Sequence, residues 1–371
     1  MLKYFGCEYS FKQLRDYVGD MTQLAGVKRY THTSGRSKGV EAIDVRTGTG
    51  LSYTILADRA LDISWAEFRG IPLCYISPVG VVAPEYYQPW GNEWLRSFGG
   101  GLLTTCGLDN VGIASERSGV SYGQHGRISN IPADNIQIVE DIKDDSYQFL
   151  IRGKVRQVKS FMEHLTLDRE ISSYAGESCI NIKDTITNEG SERQPLMMLY
   201  HFNFGFPLFN ENAMLTATVP CTACDAVGAT CKMSTFSHFA RPVNEIKEQV
   251  CVFNMLPDQN QSAGFLLMNN RENPQLGVLV RYDHTELDKL VIWKNLKTKN
   301  YVLCVEPANC HANGVAWEAD EGMLRYIEPG EQIRTNLNIQ VLDNKEQINF
   351  WNEQLSAVAN EKCKCNGSFK E

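Results

Sequence analysis

Two histidines and one glutamate stand out in this sequence because each interrupts a stretch of different character. In YGQHGRISNIPA (122–133), His125 and Arg127 flank a glycine. In LMMLYHFNFGFPLF (196–209), His201 and Asn203 break an apolar, aromatic run, and in YVLCVEPANC (301–310) Glu306 closes an apolar stretch just before Pro307. DRALDISW (58–65) sets Arg59 and Asp62 among apolar residues, and FGGGLLTTCGLDNVG (98–112) carries glycines that let the backbone approach something closely. An imidazole titrating near about 6.5 and a carboxylate near about 4.3 can pass protons around neutral pH. A guanidinium can fork onto paired acceptors. Each feature also has a plainer reading. A His in an apolar strand is more often a hydrogen-bonded core residue than a catalyst, a Glu before Pro commonly pairs with an Arg, and glycines mark bulges.

The elements that must hold these residues read as strands. LSYTILA (51–57), NIQIVEDI (135–142), YQFLIRGKVRQV (147–158), SCINIKDTITN (178–188), LGVLVRY (276–282) and IRTNLNIQVL (333–342) are rich in Val, Ile, Thr and aromatics. Several alternate polar and apolar residues with period two, as strands with one wet face do: Ile180, Ile182 and Ile186 against Asn181, Lys183, Thr185 and Thr187. Helical spacing is confined to the ends. Residues 10–25 fit one amphipathic helix capped by Ser10, and Asp343 to Val358 fits another through Ile348, Trp351 and Leu355. No repeat and no Pro- or Ser-rich linker divides the chain. The expectation is an all-β fold, a large antiparallel β-sandwich with short helices near the termini. Its parts are an N-terminal extension (1–35), the sandwich (36–342) and a C-terminal helix and tail (343–371).

Composition narrows the function classes. With 371 residues, 43% hydrophobic and 22% charged, the chain is globular rather than disordered. Its 36 Lys and Arg against 44 Asp and Glu give a net charge of −8, which lacks the basic field a nucleic acid needs. No secretory apolar region opens the sequence, and no run reaches the ~18 apolar residues of a membrane helix. A cytoplasmic, reducing setting is therefore expected, with no nucleic-acid or membrane partner. Of the 12 cysteines, those inside apolar runs (Cys74, Cys251, Cys304) read as reduced core residues. Cys221, Cys224, Cys231 and His238 form a C-x₂-C-x₆-C-x₆-H series that could close a tetrahedral zinc site. Only the first interval is ligand-like, and independent loop or core cysteines are the favoured reading.

Taken together and in order, HGR, YHFNFG, VEPAN and EPGE (328–331) resemble the galactose mutarotase, or aldose 1-epimerase, superfamily. DRALDI, GGLLTTCGLDN, HGRISNIPA and HFNFGFPL are similar to an uncharacterised aldose 1-epimerase-like branch of it, over roughly residues 40 to 340. The chain departs from typical mutarotases in carrying TTCGLDN before the first His, and Pro307 and Asn309 around the late Glu. The resemblance implies a supersandwich with a sugar-binding groove, and an isomerase that interconverts the α and β anomers of a free sugar without metal or organic cofactor. It implies Glu306 as general base and His201 as general acid. His125 and Arg127 would hold the sugar, with Arg59, Asn203 and Glu248 as further binding candidates; Arg59 could equally pair with Asp62. Trp293, Trp65 and Phe206 offer aromatic faces, although each also suits the core.

Two other classes compete. One is a non-catalytic carbohydrate-binding protein or sensor on the same fold, which would not need His201 and Glu306 together. The other is a sugar-phosphate or other carbohydrate epimerase, with Arg59, Arg127, Arg281 and Lys294 cradling a phosphate. Which sugar is used, and the oligomeric state, have no signature in the sequence.

Overall fold

The computed structural model describes every residue except Phe5, 144–145, 221–223, 226–229, 232 and 366–371, with the side chains of 224–225, 230–231, 234–235 and 361–365 also left aside. Two large antiparallel sheets face each other. One has 12 strands. From an outer edge it runs Gly26–Thr31, Glu41–Arg46, Leu51–Leu56, Asp62–Phe68, Leu103–Leu108, Met197–Phe204, Asn300–Ala308, Lys289–Lys297 and Gln249–Asn254, then two short strands. The other has eight: Ala133–Lys143, Ser146–Val158, His164–Tyr174, Cys179–Asn188, Gln332–Leu342, Gly277–Asp283, Ser262–Met268 and Met214–Ala217. This is the antiparallel sandwich expected from the alternating runs. The first sheet takes in Gly26–Thr31, which lies within the segment the sequence sets apart as an extension.

Period-two alternation explains the layers. Along Ser146–Val158 the buried residues Phe149, Ile151 and Val155 join one apolar cluster with Ile43, Ile55 and Ile63 of the opposite sheet. Burying each such side chain is worth about 1.5–3 kcal/mol. Met197–Phe204 departs from the pattern, for all eight of its residues are buried. Its even members Met198, Tyr200, Phe202 and Phe204 fill the space between the sheets, whereas Met197 and Leu199 belong to a second cluster on the outer face with Trp94, Phe98 and Val315. Both faces of this strand are covered, so its run is continuously apolar. His201 and Asn203 share the outer face.

The sandwich interior also holds charge. Fully buried Arg169 grips both oxygens of Asp184 at 2.9 and 2.6 Å and reaches Asp62 at 3.2 Å. Asp62 in turn accepts from the backbone N–H and hydroxyl of Thr105.

The terminal helices differ from expectation in length. Ser10 caps the first through a reciprocal box with Gln13, but the helix spans only Phe11–Arg15; Tyr17 is exposed, and Met21–Gln23 forms a separate 3-10 turn capped by Asp20. The second runs Lys345–Cys365, with Ile348 and Leu355 seated on Leu266, Leu279 and Leu342. Among the described residues no helix is long and apolar enough to cross a membrane. Cys74 and Cys304 are free, buried thiols. Cys251 departs from the reduced reading, being disulfide-bonded; apolar flanks reveal burial but not bonding state. Of the proposed zinc series, Cys221 lies outside the described residues, as do the side chains of Cys224 and Cys231. His238 Nδ1 lies 3.2 Å from Ser237 Oγ.

Candidate active site

Strand register brings the two lone titratable residues together. Phe202 pairs with Val305 and Asn203 with Cys304, so the same register sets His201 opposite Glu306 at the middle of the large sheet. His201 Nε2 lies 3.2 Å from Glu306 Oε1. Both side chains are almost fully buried, yet both reach the floor of a cavity of about 540 Å³. Neither His201 Nδ1 nor Glu306 Oε1 has a hydrogen-bond partner. The close approach of Nε2 to the carboxyl is thus not an aligned hydrogen bond, and buried polar capacity is left for something entering the cavity. Burial pushes the Glu306 carboxyl well above the usual carboxylate range. Burial also pulls His201 down to about 4, with the Asn203 side chain and backbone offsetting part of that shift. Both directions favour an uncharged pair that holds one proton, carried by the carboxyl.

His125 is held by its backbone. It takes a left-handed conformation (φ +56°) at the tip of the 122–126 turn, a conformation His tolerates better than most side chains. Its N–H donates to Gly112 O (2.9 Å), its carbonyl accepts from Gly107 N–H (3.0 Å), and its ring Nδ1 accepts from Gly112 N–H (3.3 Å). Only glycine suits position 112, where φ is +79° and a Cβ would stand 1.8 Å from the carbonyl oxygen of Ala312. With Nδ1 accepting, the neutral ring carries its proton on Nε2. Burial, with His201 alongside, holds its pKa well below the imidazole range. Trp94 packs on His125 (4.6 Å between ring centroids) and stacks on Phe98, which touches His201 (5.3 Å). Asn110 ties the turn to the helix Gly314–Asp320, donating to Gly123 O and accepting from Val315 N–H.

Glu248 reaches the cavity wall, where its Oε2 accepts from Trp293 Nε1 at 3.1 Å. Of the residues proposed from sequence, His201, Glu306, His125, Glu248 and Trp293 therefore converge. Others do not. Arg59 is buried and spends its guanidinium on the carbonyls of Ser129, Val82 and Ser97, so it neither faces the cavity nor bonds Asp62 directly. Asn203 shares the face of His201 but is sealed beneath the floor, donating to Gly101 O and His201 O. Arg127 turns towards Asp109 at 3.7 Å, outside the cavity lining. Trp65 packs against the inter-sheet core, and Phe206 is exposed. Trp94, Phe98 and Gln124 line the cavity without having been singled out. The dense aromatic and glycine content of WGNEWLRSFGGG (90–101) was the signal available for the first two. A second recess, of about 660 Å³ around Lys3, Arg69 and Tyr174, has no imidazole in its lining.

The fold is that of the galactose mutarotase-like proteins. A Klebsiella pneumoniae protein provisionally assigned as an aldose 1-epimerase superposes with a TM-score of 0.80 at 22% identity, over 94% of this chain and 91% of that one. A galactose mutarotase-like protein from Clostridium acetobutylicum gives 0.62 at 13% identity, over 87% and 100%. The galactose 1-epimerase of Lactobacillus acidophilus gives 0.56 at 12%, over 86% and 99%. These likenesses establish the fold. By sequence, residues 37–341 match DUF4432, a domain of unknown function, and the chain belongs to that family. No curated protein matches it in sequence.

Proposed function

We propose that this protein is an aldose 1-epimerase acting on an uncharged sugar. The observation that carries the reading is the His201–Glu306 pair, an imidazole and a carboxyl 3.2 Å apart at the cavity floor. Anomer exchange requires a proton to leave the C1 hydroxyl while another reaches the ring oxygen, and both oxygens are bonded to C1. Two proton carriers this close can serve both.

In ring opening, Glu306 as carboxylate takes the hydroxyl proton and protonated His201 gives its proton to the ring oxygen, so the C1–O bond breaks and the aldehyde forms. The pair is left uncharged. After rotation about C1–C2 the same groups act in reverse: His201 takes the proton from the attacking hydroxyl and Glu306 returns one to the carbonyl oxygen. The pair holds one proton throughout. Burial favours its uncharged form, which is the form that accompanies the aldehyde, so the site leans towards the state reached after the C1–O bond has broken. Neutral His125, with its proton on Nε2, supplies a donor to a sugar oxygen, and Trp94, Phe98 and Trp293 supply apolar faces for the ring.

A purely binding role gives no account of two mutually orphaned titratable atoms at the cavity floor. A phosphorylated substrate is disfavoured because, among the described residues, no Lys or Arg lines the cavity, whose ionisable lining is His125, His201, Glu248 and Glu306. Arg281 lies on Trp351 of the C-terminal helix and Lys294 over Phe236, so the proposed cationic set is dispersed. The test is exchange NMR between the α and β H1 signals of a panel of aldoses, with hexose 6-phosphates included. Accelerated exchange of at least one neutral aldose is expected, with little for the phosphates. Saturable binding without acceleration would reduce the protein to a sugar binder.

A further inference from the structure

Acid–base chemistry leaves one thiol at the site unused. Cys304 lies two residues before Glu306 on the same face of Asn300–Ala308, and it is fully buried. One ligand atom from each of His201, Cys304 and Glu306 falls within 4.8 Å of the other two. The 3.2 Å between His201 Nε2 and Glu306 Oε1 is close to the ~3.3 Å expected of two ligands on one tetrahedral zinc ion with bonds of about 2.0 Å. The orphaned Glu306 Oε1 is in want of a partner, and the Cys304 thiol has a single weak one, Asn203 Oδ1 at 3.4 Å.

Charge points the same way. A dication with a thiolate, a carboxylate and a neutral imidazole makes an uncharged assembly, the kind a buried site can hold without large desolvation cost. Hard cations that prefer six oxygen ligands fit poorly, whereas zinc and cobalt accept mixed sulfur, nitrogen and oxygen donors.

We propose that the cavity floor is also a site for a zinc-class divalent ion, held by Cys304, His201 and Glu306 with its fourth position open to the cavity. The Cys304 proton and the proton shared by His201 and Glu306 leave to solvent as the ion enters. The ion and the one-proton pair therefore exclude one another, and, resting on the proposed anomerase reading, bound zinc switches that chemistry off until a chelator removes it.

The test is titration of the chelator-treated full-length protein with cobalt(II), followed by near-ultraviolet thiolate-to-cobalt absorption, proton release and zinc competition. One saturable ion with a thiolate band is expected. Cys304→Ser should remove that band and weaken binding by at least about 100-fold, more than the loss of a supporting contact to a ligand costs. His201→Asn provides a second decision should the serine variant not fold. Absence of the band in the parent protein overturns the proposal, as does a band unchanged in both variants, which would place cobalt on other cysteines. Anomer exchange measured on the metal-free protein separates the two claims: exchange without cobalt binding sinks only the metal site, and cobalt binding without exchange sinks only the anomerase reading.

Discussion

Replacing Glu306 by Gln tests the acid–base pair with little steric change. The side chain keeps its length and its place opposite His201, but it can no longer gain or lose a proton. A positioned acid–base group contributes about 10²–10⁴-fold, or roughly 3–5 kcal/mol of barrier, so the catalysed exchange rate should fall by that factor. Sugar affinity should change only a few-fold, since His125, Trp94 and Glu248 are untouched. The structure also fixes the sign of the stability effect. Burial raises the folded pKa of Glu306 above its unfolded value. Such a group stabilises the fold fully below the unfolded pKa, and that contribution is lost as pH rises towards the folded one. At pH 7 the unfolded carboxyl gains by ionising, so removing it should leave the melting temperature equal or higher. Exchange NMR at saturating sugar, with calorimetry on the same preparations, reads both quantities. A Glu306→Gln protein that anomerises at the parent rate would refute the mechanism, and one that loses activity only because it melts would leave its geometry untested by this route and shift the decision to His201→Asn.

Four further outcomes follow from the same structure. The pair keeps one proton from about pH 4, where His201 becomes protonated alongside a protonated Glu306, up to the raised Glu306 value; the rate profile should therefore show its acid limb near pH 4 and none near the usual imidazole value. Because His201 titrates at about 4 when folded against about 6.5 when unfolded, stability should fall by up to about 3 kcal/mol as pH drops through that window, and His201→Asn should flatten the slope in urea titrations. Arg59→Met should cost roughly 3 kcal/mol or more in the same titrations, by stripping three buried carbonyls of their donor, with KM unchanged in protein that remains folded. Glu248→Gln should instead raise KM several-fold and spare stability, as befits an exposed cavity wall.

Much of this was legible in the residues because alternation is local. Ile180, Ile182 and Ile186 announce a buried face without reference to the rest of the chain, and the strand at Cys179–Asn188 follows. His201 and Glu306 were legible as interruptions of apolar runs. Their proximity was not, since it depends on the register between two strands about a hundred residues apart in sequence. Arg59 misled for a related reason: its carbonyl partners come from three separate loops, so a structural cation and a ligand-gripping one look identical in DRALDISW. Asn203 misled through parity. Alternation put it on the correct face, but could not show that its amide is spent on the carbonyls of Gly101 and His201 rather than open to the cavity. The first helix was drawn too long because apolar residues at helical spacing can reach the core from two short turns as well as from one helix: Met21 packs on it from a separate turn capped by Asp20.

The position of the proposed acid–base pair in the middle of the 12-stranded sheet has a consequence for how motion is shared across the molecule. The strands carrying His201 and Glu306 have hydrogen-bonded neighbours on both sides, while the cavity wall at Asn92, Ile113 and Gln124 is built from loops. In deuterated solvent the amides of Met197–Phe204 should exchange at the slow limit set by global opening, and those of the 90–93 and 123–124 loop segments orders of magnitude sooner. On the proposed reading, proton chemistry would sit on strands paired on both sides and substrate would enter past loops. Loop insertions would then change what the cavity admits without disturbing the spacing of His201 and Glu306.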